Sequence, residues 1–265
     1  METHIPNLTI AILAFNVFVS LALPLGLLLV LRKKCGASTV PFWAGCVTFF
    51  LVVMVLESLA HNIILTSPLG ASIQSNLWLY ALYGGVMAGL FEETGRFAVM
   101  RLLKKKHNRP ETALMYGAGH GGIEVLLLMG GAMVQNLILA AMVNNGQISA
   151  LLGTMTEQQA AALESGIATM ASSSPLLFLV SPLERVIAVV LHMTLSVLVW
   201  QAVTQPGKIR MYIAAIGVHA FVDASAVALQ QLGAPILAIE AWLAAIDVAM
   251  VFWARTIFRN MRQAK

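Results

Sequence analysis

Seven apolar stretches, each near the length of a bilayer-crossing helix, succeed one another along the chain, at about residues 8–31, 41–65, 76–102, 112–142, 176–203, 209–231 and 235–257. A spanning helix needs about 20 mostly apolar residues, and it must satisfy its own backbone N–H and C=O groups once water is gone. The pattern predicts an all-α fold: a polytopic membrane helix bundle of about seven transmembrane helices. It reads as one transmembrane domain over residues 1–265, with the active-site core in about 76–231. Composition agrees, with 59% hydrophobic and 11% charged residues, where a soluble domain carries about 25% charged residues.

The basic residues predict an orientation. Arg32, Lys33 and Lys34 follow the first span, and Arg101, Lys104, Lys105, Lys106 and Arg109 follow the third. Lys208 and Arg210 follow the fifth, and Arg255, Arg259, Arg262 and Lys265 close the seventh. The alternate connections, 66–75, 143–175 and 232–234, contain no Lys or Arg. Positive charge is retained on the cytoplasmic side. The expectation is a multi-pass protein of the cell (plasma) membrane, amino terminus outside and carboxyl terminus cytoplasmic. The net charge of +4 is a topology signal, and nucleic acid is not expected as a partner. The first segment has its basic cluster after it, the reverse of a secretory signal, so it is expected to stay as an anchor. Cys35 and Cys46 make no disulfide framework and are expected to serve as small packing residues.

The one long connection, 143–175, holds a capping-box pattern at Thr156 and Gln159. Leu163, Ile167 and Met170 share a helical face behind it. A short amphipathic helix on the outer membrane surface is expected there, or a lid.

Ionisable side chains inside the spans carry the functional signal, because such groups are costly in lipid and usually line a functional cavity. At 1.5 Å rise per residue, Glu92, Glu93, His120, His192 and His219 all fall roughly 12–17 Å from the cytoplasmic interface, near the middle of a core about 30 Å thick. His120 precedes Glu124, and His219 precedes Asp223, each by one turn, so each pair shares a helix face. A carboxylate beside a histidine can fix the ring tautomer, and imidazoles with carboxylate oxygen suit Zn²⁺. Arg96 stands four residues after Glu92, so the two are expected to pair and leave the other glutamate free to act. Gly117, Gly119, Gly121 and Gly122 surround His120, and Gly85 with Gly89 forms a small-residue face that could meet them. Asp247 reaches a similar depth, Glu184 and Arg185 are placed to pair with Glu57, Glu124 or each other, and His61 lies near the outer end of its span. A hydrolytic site and a carrier's midplane ion or proton site remain open from residues alone. The repeat symmetry many carriers show is absent, as is the His-Glu-x-x-His zincin signature.

FEETGR in the third span, GAGHGG with Glu124 in the fourth, His192 in the fifth and HAFVD in the sixth resemble the YhfC family of intramembrane metalloproteases. That family is similar to the CAAX prenyl endopeptidase and bacteriocin-processing superfamily. The resemblance implies an intramembrane peptidase that hydrolyses a peptide bond in or near the bilayer by metal- or glutamate-activated water. Glu92 or Glu93 would take the water's proton together with His120. His120, His192 and His219 would hold a divalent metal, zinc being expected, with Arg96, Glu124 and Asp223 in support. The implied substrate is a membrane-embedded or lipidated peptide or protein. Two differences stand out: Arg96 follows the glutamate pair after two residues where the superfamily has three, and Asp223 replaces an amide.

Overall fold

The computed structural model describes residues 4–263, and Lys265 of the last basic cluster lies outside them. The described residues form ten helices and no strand. They are α1 (Asn7–Cys35), α2 (Val40–Leu65), α3 (Pro68–Ser75), α4 (Leu77–Leu103), α5 (Glu111–Asn144), α6 (Ile148–Leu152), α7 (Glu157–Ser172), α8 (Pro175–Thr204), α9 (Arg210–Gln231) and α10 (Ile236–Gln263). Each predicted span coincides with one long helix. Six of the seven, α1, α2, α5, α8, α9 and α10, are long and apolar enough to cross a membrane. The remaining helix, α4, has the length at 27 residues, but Glu92, Glu93 and Arg96 lower its hydropathy.

Surface and interior are inverted relative to a water-soluble protein. Phe18, Leu102 and Phe252 are each 65–66% exposed, whereas Glu93, Arg96 and His120 are fully buried. Outward-facing apolar side chains around inward-facing charges are what hydrocarbon solvent demands.

Local chemistry explains the helix starts. The Asn76 side chain accepts from the backbone N–H of Trp78 and Leu79 and opens α4. At α7 the expected capping box forms, with Thr156 N–H donating to Gln159 Oε1 at 3.1 Å and Gln159 N–H donating to Thr156 Oγ1 at 3.4 Å. Ile167 and Met170 turn inward from that helix. Two wide-turn (π) stretches, Phe50–Glu57 in α2 and Val125–Gly130 in α5, have no counterpart in the sequence pattern.

The described residues group into two compact units, 4–23 with 125–185, and 24–124 with 186–263. In the first, the Asn144 amide clamps the Ile5 backbone, accepting from its N–H at 2.8 Å and donating to its carbonyl at 3.0 Å. Arg185 pairs there with Glu184. In the second, α8 is the central helix. Leu191, Leu195, Leu198 and Trp200 are buried on it, in one apolar core with Met100 of α4, Tyr116 of α5, Ala215 of α9 and Met250 of α10.

Glycines let the backbones of this second unit touch. A Cβ on Gly119 would lie 1.9 Å from the Phe42 carbonyl oxygen of α2, and one on Gly117 would lie 2.6 Å from Met193 Cα of α8. The glycines around His120 are thus packing surfaces for two different helices. Gly85 and Gly89 face α9, where a Cβ would meet the Ala220 oxygen at 2.2 Å and the Ile216 oxygen at 2.7 Å. This corrects the expectation that they meet the glycines of α5. The sequence supplies small faces but not their partners.

Adjacent residues test the packing. Gly85→Ala drives a methyl into α9 backbone and should lower stability by about 1–3 kcal/mol or more. Gly84→Ala meets nothing within 4 Å and should be neutral or stabilising by up to about 1 kcal/mol. Unfolding in detergent measures both, and equal effects would refute the close approach.

Candidate functional site

Four helices of the second unit contribute to one buried polar cluster. Helix α4 brings Glu92, Glu93 and Arg96; α5 brings His120 and Glu124; α8 brings His192 and Ser196; α9 brings His219 and Asp223. The expected common depth corresponds to real proximity. Ring centroids are 4.8 Å apart for His120 and His192, and 5.4 Å for His192 and His219.

Arg96 sets the electrostatics. Its Nη1 donates to the His192 carbonyl oxygen at 2.6 Å and to Ser196 Oγ at 2.7 Å. Its Nε lies 3.2 Å from Glu93 Oε2, an i,i+3 ion pair with both side chains fully buried. The pairing inferred from spacing, Arg96 with Glu92, is therefore corrected to Arg96 with Glu93. Both i+3 and i+4 positions share a helix face, and the turn toward α8 selects the nearer one. Ser196 follows His192 by four residues, a spacing that could have revealed it.

The second guanidinium nitrogen, Nη2, is 3.0 Å from His192 Nδ1. A guanidinium only donates, so Nδ1 accepts and the imidazole hydrogen sits on Nε2. That Nε2 is 2.6 Å from Glu124 Oε2. Arg96 and Glu124 thus fix the tautomer of His192 from opposite sides.

Glu92, freed of the guanidinium, is the hub of the histidines. Its Oε2 is 2.8 Å from His120 Nε2 and 3.8 Å from His192 Nδ1, and its Oε1 is 3.9 Å from His219 Nε2. His219 is held from behind by Glu93, whose Oε1 is 2.9 Å from Nδ1, and its Nε2 is 3.5 Å from Asp223 Oδ2.

Glu92, His120 and His192 can each offer a donor atom within 4.8 Å of the others. The other nitrogen of His120, Nδ1, is buried without a hydrogen-bond partner among the described residues. A carboxylate with two imidazoles is a donor set suited to a divalent ion such as zinc, so these residues fit a metal. His219, expected with the other two histidines, is not in that group.

Other expected candidates fall elsewhere. Asp247 is buried on α10 and forms no hydrogen bond or ion pair with the cluster among the described residues. His61 bonds Tyr83 Oη through Nδ1 at 2.7 Å and Glu57 Oε1 through Nε2 at 3.3 Å, a contact the sequence did not suggest. Cys35 and Cys46 are free thiols.

Fold and cluster together define a polytopic membrane protein with an enclosed carboxylate–imidazole centre. The chain belongs to the YhfC family, described as YhfC intramembrane metalloprotease, which it matches over residues 19–246. It is 30% identical over 257 residues to the uncharacterized membrane protein YhfC of Bacillus subtilis (strain 168), an alignment covering 94% of this chain and 98% of that protein. No solved structure matches it.

Breaking a buried pair from one side leaves a charge in a medium that cannot solvate it. Arg96→Met should cost about 3–5 kcal/mol, and the double variant Glu93→Gln/Arg96→Met should recover part of that loss. Unfolding of both in detergent checks the pairing, and a double variant no more stable than the single one would refute it.

Proposed function

We propose that the chain is an intramembrane peptidase, with Glu92 accepting a proton from the water that attacks a peptide carbonyl. The observation carrying this reading is that Glu92 approaches all three histidines, while Arg96 is committed to its neighbour Glu93. A fixed guanidinium pair would hold a carboxylate's lone pairs away from chemistry. Glu92 is the glutamate without that restraint.

His120 anchors Glu92 Oε2, leaving Oε1 to face His219. A water beside that pair would be within hydrogen-bonding reach of both groups. Glu92 takes the water's proton as its oxygen attacks the carbonyl carbon, and the proton then passes to the leaving amine. His219 is oriented by Glu93 through Nδ1, the arrangement in which a carboxylate holds an imidazole ready to exchange a proton at its other nitrogen. Asp223 and Glu124 hold His219 and His192 in place. Glu92 through Oε2, with His120 and His192, would hold a divalent metal, for which zinc is the natural choice; it would polarise the carbonyl and lower the pKa of water, with Oε1 left as the basic oxygen.

The family's description as intramembrane metalloproteases supports the reaction class. A site enclosed by membrane helices suits a substrate already in the bilayer, a transmembrane or lipidated peptide. The basic ends of alternate spans support a cytoplasmic carboxyl terminus in the plasma membrane.

Purified protein assayed on membrane peptides tests the proposal. Glu92→Gln should lower cleavage by about 10²–10⁴-fold at unchanged unfolding temperature, while His120→Ala and His192→Ala should lose bound metal by elemental analysis. Full activity in Glu92→Gln, or ion flux into proteoliposomes without cleavage of any membrane peptide, would overturn it.

A further inference from the structure

Along the last two turns of α4 lies a cavity of about 840 Å³ between the ends of α4 and α8. Phe97, Arg101, Lys104, Lys105, Asn108 and Val203 form its walls, and no acidic residue among the described ones lines it. Arg101 is stacked over the Phe97 ring, its guanidinium carbon 5.8 Å from the centroid. Lys104 Nζ donates to the Val203 carbonyl oxygen at 2.8 Å, in the last turn of α8. An ammonium has three donors, so this bond positions Lys104 without exhausting it. Arg101 and Lys105 are exposed and unpaired in any ion pair among the described residues.

We propose that this cavity binds the phosphate of an anionic phospholipid headgroup. Arg101, Lys104 and Lys105 line it together at the basic end of α4, the end that the positive-inside pattern assigns to the cytoplasmic headgroups. Basic pockets between transmembrane helices recognise anionic lipid in this way, each Lys or Arg contributing to the attraction. The apolar part of the wall favours a lipid over soluble phosphate: Phe97, Ala202 and Val203 line the cavity beside the cations, and Leu102 in the same wall is 66% exposed. The site is separate from the histidine cluster, and the proposal does not depend on the peptidase reading.

Native mass spectrometry and thermal unfolding of the full chain, with added phosphatidylglycerol or phosphatidylcholine, test it. The wild type should retain phosphatidylglycerol and be stabilised by it, with no comparable effect of phosphatidylcholine. Arg101→Gln/Lys105→Gln should bind phosphatidylglycerol about 30-fold more weakly. Arg101→Lys/Lys105→Arg, which keeps both charges, should bind it within a few-fold of wild type, and Lys33→Gln/Lys34→Gln should leave it unchanged. Equal retention of the two lipids, or unaltered binding in the double glutamine variant, would overturn the proposal. Displacement of the lipid by millimolar inorganic phosphate would do so as well, by making soluble phosphate the occupant.

Discussion

A single buried guanidinium organises the polar interior of this protein. Arg96 is fully buried in helices that present apolar side chains to their surroundings, and an unpaired charge there would be intolerable. The structure satisfies it from two directions at once. Glu93 supplies the counter-charge on the same helix, and the His192 carbonyl, Ser196 hydroxyl and His192 ring accept from it across on α8. These bonds fix the rotation of α4 against α8. With that rotation set, Glu93 faces His219 and Glu92 faces His120, so two adjacent glutamates acquire different partners and different chemistry.

The cluster also depends on how closely the backbones approach. The α5 segment around His120 is glycine at alternate positions, and it lies against α2 on one side and α8 on the other. The same principle operates between Gly85, Gly89 and α9, which brings His219 within reach of the glutamates. In lipid there is no hydrophobic drive to pull helices together, so close van der Waals contact at small residues and hydrogen bonds between polar ones must do it. Here both occur in the same layer of the bundle. The glycines that allow the approach and the ionisable groups that need it are neighbours in sequence.

Much of this was legible beforehand. Every long apolar stretch became a helix, because a run of that length in hydrocarbon has no alternative that satisfies its backbone. The capping box at Thr156 was readable because it is a contact between residues three apart. The residues that meet in the cluster were identifiable as ionisable groups counted to one depth. Their pairing was not. Spacing assigned Arg96 to Glu92, where the packing gives it Glu93, and it could not tell that Gly85 meets Ala220 rather than the glycines of α5. His61, near the outer end of its span, bonds Glu57 and Tyr83, and the wide turn that ends at Glu57 leaves no trace in the hydrophobic pattern.

The division follows from the range of the interactions. Helix identity and the polytopic all-α class are properties of a segment and its solvent, and the sequence by itself determined them. Which carboxylate serves the guanidinium, which stands among the imidazoles, and which three residues converge on one donor group depend on helix rotation and on contacts between residues 28 to 126 positions apart. Rotation is settled only when neighbouring helices pack, since a turn of about 100° per residue leaves several faces equally plausible until one of them meets a partner. The tertiary structure alone decided that.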